Sequence, residues 1–223
     1  MKNLAIDTSS EVCGVSLLEN DKLIDDNSLN NGKTHSENLM ELIKEILERN
    51  NIGLNEIDLI SCVVGPGSFT GIRIGISSVK AMAEVYNIKI ASVTSLETLA
   101  QGLKSKTKVG MIDARNDQVY CGIFDENYNL LEDYIADSID VAINKISKYE
   151  DIEICGNGAE KFKTLIKEKI PNVKFSNDNL QKAENAGKAG YRKYLKNDLM
   201  TADTILPIYL RKSQAERLKI NKI

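Results

Sequence analysis

The sequence predicts an α/β protein of two duplicated lobes, each with three strands followed by helix, strand and helix. Three observations predict it. Short runs of strand pattern alternate with helical periodicity along the chain. The order of elements in the first half recurs in the second. A fragment of the letters recurs too: Ile6-Asp7 then Val12-Cys13-Gly14-Val15 is echoed by Ile112-Asp113 then Tyr120-Cys121-Gly122-Ile123. The offset from Asp to Gly is seven residues in the first copy and nine in the second.

Taken in order, residues 3–8, 12–18 and 22–29 read as three short strands, with turn residues such as Glu19-Asn20-Asp21 between them. Residues 35–49 read as a helix, opened by a capping box of Thr34 and Glu37 before the apolar run Leu39, Leu42, Ile43, Ile46. Residues 57–64 form a strand of the buried type, 65–71 a loop, 71–86 a second helix, 88–93 a strand and 95–103 a helix. In the second half, 107–113, 118–124 and 129–135 read as strands and 138–148 as a helix. A strand at 152–155 turns through Gly156-Asn157-Gly158-Ala159 into a helix at 159–169. A strand near 173–175 and a helix near 181–196 follow. Strands alternating with helices require a mixed sheet covered on both faces. Two such lobes are the layout of the actin-like (ASKHA), sugar-kinase-like fold. The boundary at Gly102–Thr107 divides the chain into an N-terminal lobe, 1–104, and a C-terminal lobe, 105–223.

The 223 residues are 42% hydrophobic and 27% charged, ordinary for a globular protein with a sizeable core. A net charge of −3 argues against a generally basic nucleic-acid surface and leaves room for a local basic patch. The opening MKNLAIDTSS meets Asp7 too soon for a signal peptide, and no stretch approaches a membrane span, so a cytoplasmic protein is expected. Cys13, Cys62, Cys121 and Cys155 each sit in a short apolar run, with no C-x-x-C pair. They read as buried free thiols.

Gly65-Pro66-Gly67-Ser68-Phe69-Thr70-Gly71 joins a buried strand to a helix. Glycines permit close backbone approach, and the helix N-terminus offers free N–H groups and a positive dipole end, a combination that suits an anion. It is neither a P-loop nor a dinucleotide fingerprint, since no Gly-Lys-Ser/Thr follows and Thr70 stands where a last glycine is required. The same residues also make a tight turn with Ser68 or Thr70 as N-cap. Asp7-Thr8-Ser9-Ser10 is a strand-end turn rich in hydroxyls but without glycine. Gly156-Asn157-Gly158-Ala159 suits either the passage of an adenine ring or an ordinary strand-to-helix turn. Asp7, Thr8, Ser9, Gly67, Ser68, Gly156 and Gly158 are thus the candidate nucleotide or anion contacts.

No catalytic set is complete. His35 is the single histidine, so a bis-histidine metal site within one chain is impossible. In Thr34-His35-Ser36-Glu37 it reads as decoration of a helix start. Asp7 and Asp113 are candidates for magnesium or for closing turns, and no resident metal or cofactor is expected.

The helix after the glycine loop is the most informative element. Ile72, Ile76, Val79 and Ala83 cluster within about 60° of one another and make a core face. Ile74, Ser78, Ala81 and Val85 make a second stripe opposite, with Arg73 on a flank. On the first helix an arc of about 160° runs from Leu42 through Leu39 and Ile43 to Leu47 and Met40, wider than one buried face needs. These two helices predict a protein–protein interface. Its candidate residues are Met40, Leu47, Phe69, Arg73, Ile74, Ser78, Ala81 and Val85. The basic tail from Leu210 to Ile223 reads as a solvated segment or as a contact to RNA phosphates.

These segments resemble the bacterial TsaB family, the glycoprotease-like subunit of the threonylcarbamoyladenosine tRNA-modification machinery. The resemblance rests on Leu4-Ala5-Ile6-Asp7-Thr8-Ser9, His35-Ser36-Glu37, the specific run from Gly65 through Gly71 to Ile72-Arg73-Ile74-Gly75, and Ser95-Leu96-Glu97. Asp113-Ala114-Arg115 with Val119-Tyr120, Gly156-Asn157-Gly158-Ala159 and Pro207-Ile208-Tyr209-Leu210-Arg211 complete it. It implies an actin-like fold and a non-catalytic subunit whose N-terminal lobe docks on a TsaD-type catalytic partner. The same helices would mediate a homodimer when the chain is alone. It also implies a TsaE-type ATPase in the complex, ATP or ADP with magnesium at the complex interface, and indirect or weak tRNA contact. The alternative is an actin-like-fold ATPase or small-molecule kinase acting alone. The sequence departs from the resemblance at 185–191, Asn-Ala-Gly-Lys-Ala-Gly-Tyr, where a proline is common in the family.

Overall fold

A computed structural model describes residues 1–211; the basic tail read above lies outside the described residues beyond Arg211. Two five-stranded sheets form, and they share one topology. In the first lobe β1 (Lys2–Asp7), β2 (Cys13–Glu19) and β3 (Lys22–Leu29) make an antiparallel meander. After α1 (His35–Arg49), β4 (Leu59–Val63), α2 (Phe69–Tyr86) and β5 (Lys89–Val93) extend the sheet in parallel, in the order β3-β2-β1-β4-β5. α3 (Ser95–Ala100) leads into the second lobe. There β6 (Thr107–Asp113), β7 (Gln118–Phe124) and β8 (Ile135–Ser138) make the meander. α4 (Ile139–Ile146), β9 (Ile152–Cys155), α5 (Asn157–Lys161), α6 (Lys163–Lys169) and β10 (Lys174–Phe175) follow, giving β10-β9-β6-β7-β8. α7 (Ala183–Leu195) comes last. The predicted duplicated α/β fold is therefore present.

Local chemistry explains the boundaries. Glu37 accepts the Thr34 N–H at 2.9 Å, closing the start of α1 as expected. Ser68 caps α2 by accepting the Gly71 N–H at 3.2 Å, so this helix starts two residues before the expected position. The third strand of the second lobe, expected at 129–135, begins at Ile135. Asp125 Oδ1 accepts the amides of Asn127 and Asn129, each at 2.8 Å, and Tyr128 is left-handed at φ 63°, so a turn occupies that stretch. The single helix expected at 159–169 is two, broken at Phe162.

Packing does not follow the chain division near residue 104. α7 lies on β1, β2, β4 and β5 of the first sheet, while α3 lies on β6 and β7 of the second. Each lobe is thus covered by a helix from the other half of the chain. Glycines permit the approach: a Cβ at Gly187 would strike Leu18, and one at Gly190 would strike Ser61. Asn3, fully buried, donates to the Gly187 carbonyl at 2.9 Å and accepts from the Ser61 hydroxyl at 2.8 Å. The 185–191 departure therefore supplies the small residues of this contact. The Lys193–Glu97 ion pair at 3.3 Å joins the two exchanged helices.

All four cysteines are free and buried. Burial pushes the thiols up, Cys13 to about 11 and Cys121 and Cys155 to about 12, so few thiolates exist at pH 8. A thiol-labelling assay at that pH is expected to find none reactive in the native protein and all four after denaturation. Rapid native labelling of any one would contradict this packing. No described helix is long and apolar enough to cross a membrane.

Candidate functional site

Each glycine of the run after β4 meets a specific neighbour. A Cβ at Gly67 would collide with the Ser9 carbonyl oxygen, one at Gly71 with the Thr8 carbonyl oxygen, and one at Gly75 with the Thr8 hydroxyl. Gly71 and Gly75 are one helical turn apart, so they present one bare face to the turn that follows β1. Thr8 Oγ1 donates to the Gly71 carbonyl at 2.8 Å, and the Ser68 N–H donates to the Ser9 carbonyl at 2.7 Å. At Gly65, φ is +110° and a Cβ would lie 2.7 Å from the Ile208 carbonyl oxygen. The run is a clamp that seats α2 against the first turn and the 207–211 segment. It places carbonyl oxygens where a phosphate cradle would need donors.

The turn itself is sealed. Asp7, Thr8 and Ser9 are each no more than 2% exposed. Asp7 Oδ1 accepts the Ser9 amide at 2.8 Å and the Ser9 hydroxyl at 2.7 Å, while Asp7 Oδ2 has no partner among the described residues. Ser95 Oγ reaches Ser9 Oγ at 2.9 Å, tying the start of α3 to the same turn. His35 Nε2 lies 2.8 Å from the Ser10 carbonyl, which can only accept, so that nitrogen carries the proton. The histidine thus pins the start of α1 to the turn.

Burial pushes the Asp7 carboxyl above the usual carboxylate range, partly offset by the two Ser9 hydrogen bonds and by His35. Ionisation therefore costs the folded state more than the unfolded chain. Stability is lost as pH rises from the unfolded-chain value of about 4 through the raised folded value. Asp7→Asn keeps an acceptor for Ser9 and removes the charge. It is expected to melt higher than the wild type at pH 7.5, with the difference closing near pH 3.5. A lower melting temperature for the variant at pH 7.5 would contradict this.

The second lobe repeats the clamp. Gly156, at φ +113°, has its Cβ space filled by the Met111 carbonyl, and that of Gly158 lies 2.9 Å from the Ile112 carbonyl carbon. Asp113, the counterpart of Asp7, is paired with Lys161 at 3.0 Å and accepts the Arg115 amide at 3.0 Å. A magnesium nucleotide between these two turns does not fit. The Asp7, Thr8 and Ser9 side chains are turned into the protein, and the two second-lobe glycines face their own strand. Of the seven residues read as candidate nucleotide or anion contacts, Asp7, Thr8, Ser9, Gly156 and Gly158 are buried, while Gly67 and Ser68 are exposed.

The two faces of α2 differ in exposure. Ile72, Ile76, Val79 and Ala83 are buried as the core face of α2. On the opposite stripe Ile74 and Ser78 are half-buried, Ala81 is exposed and Val85 is 74% exposed. Ile74 packs on the rim of the first-lobe core. Beside this stripe a shallow groove of about 300 Å³ runs between α1 and the end of α2, lined by Met40, Ile43, Leu47, Leu54 and Tyr86, with Lys44 and Glu48 at its edge. Leu47, read as an outward residue, is buried and floors this groove. Tyr86 was missed, although it lies one turn beyond Met82. Phe69 and Arg73 are exposed but engaged within the chain. Phe69 stacks on Tyr209 with centroids 4.5 Å apart, and the Arg73 guanidinium lies 4.0 Å from the Phe69 centroid.

Among known proteins, the family model described as "TsaD: tRNA N6-adenosine threonylcarbamoyltransferase" matches residues 29–202. The tRNA threonylcarbamoyladenosine biosynthesis protein TsaB of Bacillus subtilis is 36% identical over 143 residues, covering 61% of this chain and 61% of the relative. The matched stretch therefore spans less than two thirds of that relative's length. The TsaB protein of Buchnera aphidicola subsp. Baizongia pistaciae is 30% identical over 190 residues, covering 78% of this chain and 84% of the relative. An uncharacterized Pseudomonas aeruginosa protein with similarity to peptidase YeaZ superposes with a TM-score of 0.81 at 26% identity, over 94% of this chain and 99% of that one. With the duplicated lobes and the glycine clamp in place, these matches show that the chain belongs to the TsaB family.

Proposed function

We propose that this chain is a non-catalytic subunit of the cytoplasmic complex that adds threonylcarbamoyl to the tRNA adenosine beside the anticodon. The observation that carries the reading is the exposed outer stripe of α2 with the apolar groove beside it, both on the first lobe of a TsaB-family chain. Small side chains at Ser78 and Ala81 let a partner helix approach, and the apolar surface of Met40, Val85 and Tyr86 gains by being covered. The partner is a TsaD-type catalytic subunit, with a TsaE-type ATPase joining the complex. The same face pairs two copies of this chain when no partner is present. The sealed Asp7 turn supports assigning ATP or ADP and magnesium to residues of the partner subunits, and it weighs against an ATPase or kinase acting alone.

The test is reconstitution. The TsaD-type subunit is assayed for threonylcarbamoyl transfer to unmodified tRNA with and without this chain, and the chain is assayed alone. Transfer is expected to rise when the chain is added, with none from the chain by itself. Equal transfer with and without it would overturn the proposal.

A further inference from the structure

The segment Pro207–Arg211 runs along the seam between the lobes. The Ile208 amide donates to the Val64 carbonyl at 2.8 Å in the first lobe. Tyr209 stacks on Phe69, and the Arg73 Nε donates to its hydroxyl at 2.9 Å. Leu210 packs with Leu96 and Phe124. Arg211 lies over the Tyr120 ring at 5.8 Å and donates to the Ala114 carbonyl at 3.4 Å in the second lobe. Ala114 leads directly into Arg115, which is exposed. Arg115, Asn116 and Asp117 are three successive left-handed residues, at φ 64°, 51° and 54°, in a turn without glycine. Arg115 is thus exposed one residue beyond the carbonyl that Arg211 bonds. Of the acids here, Asp113 is already paired with Lys161, and Asp117 is exposed in the same turn. Three arginines interleaved with two half-exposed aromatic rings thus line one edge of a chain whose net charge is −3. Beyond Arg211 the sequence adds four cations and one acid.

We infer that this seam, Arg73–Phe69–Tyr209–Arg211–Arg115, is a contact surface for the phosphodiester backbone and an unstacked base of RNA. The inference rests on the reading of the chain as a tRNA-modification subunit, and it makes the tRNA contact, expected to be indirect or weak, a direct one at a defined surface. Guanidinium groups pair with phosphates, while exposed aromatic faces accept stacked bases; single-stranded RNA is bound by that combination. An acidic protein partner would use the charges but has no need of the aromatic faces.

The test titrates a fluorescein-labelled, unmodified tRNA transcript, by anisotropy at several salt concentrations, with the chain alone and with its complex with the TsaD-type subunit. Arg115→Asn suits a left-handed turn, and Arg73→Gln is combined with it. The double variant is expected to bind tRNA about 10-fold more weakly at low salt. The slope of log affinity against log salt should shrink by about 1.5, as for two lost phosphate contacts. Size exclusion of the Arg115→Asn single variant with the TsaD-type subunit is expected to be unchanged. Unaltered tRNA affinity and slope would overturn the inference and leave the proposed function standing. Loss of subunit binding with tRNA affinity of the chain alone unchanged would also overturn it, by making the seam a protein interface. If the wild type forms no complex, the proposed function fails, and the titration of the chain alone still decides the seam.

Discussion

Gly71→Ala is expected to destabilise the protein by about 1–3 kcal/mol, the usual penalty for overpacking. In an ordinary helix the same change stabilises by about 1 kcal/mol, because alanine loses less backbone freedom on folding. The sign reverses here because the new Cβ would lie 2.1 Å from the Thr8 carbonyl oxygen, far inside contact distance. That oxygen is backbone of a fully buried turn, fixed by the Thr8–Gly71 and Ser9–Ser68 hydrogen bonds, and it has no room to move. For a chain of this size the melting temperature should fall by about 2–4 °C per kcal/mol. Gly102→Ala is the control. Its nearest neighbour, Asn185 Nδ2, is 3.6 Å from the added carbon, an ordinary contact, and little change is expected. A Gly71→Ala protein as stable as the wild type would mean that α2 does not sit on the first turn as described.

Much of this was legible in the sequence. The two faces of α2 follow from the spacing of Ile72, Ile76 and Val79 against Ser78, Ala81 and Val85. The duplicated order of elements follows from alternating periodicities. The glycine run was ambiguous for a physical reason. A phosphate cradle and a helix–turn clamp both need residues without a Cβ, and what stands opposite decides between them. Here that is the backbone of Thr8 and Ser9, some sixty residues earlier in the chain, which local pattern does not reveal. The exchange of α3 and α7 between lobes was hidden for the same reason, although Gly187 and Gly190 carried a trace of it. The left-handed turn at Arg115–Asp117 contains no glycine, so its shape left no compositional mark beyond Asn116 and Asp117. Tyr209 appeared only as part of a family segment; its stacking on Phe69 depends on a contact between residues far apart in the chain.

The clamp and the docking face are parts of one device. The glycines hold α2 so that its core face is buried and its other stripe stays open. Ala81 sits at the middle of that stripe, exposed in the monomer. Ala81→Arg should therefore leave the monomer's stability within about 0.5 kcal/mol, as surface changes usually do. In a helix-to-helix interface the arginine would be a charge buried without a partner, at a cost of about 3–5 kcal/mol. That corresponds to a loss of roughly two to four orders of magnitude in affinity. The most direct test is the dissociation constant of the chain for the TsaD-type subunit, measured for wild type and Ala81→Arg by titration calorimetry, with thermal melts of both alone. Tight binding by the wild type, near-complete loss in the variant and matching melts are the predicted result. Equal affinity of the two proteins would contradict the docking face on α2.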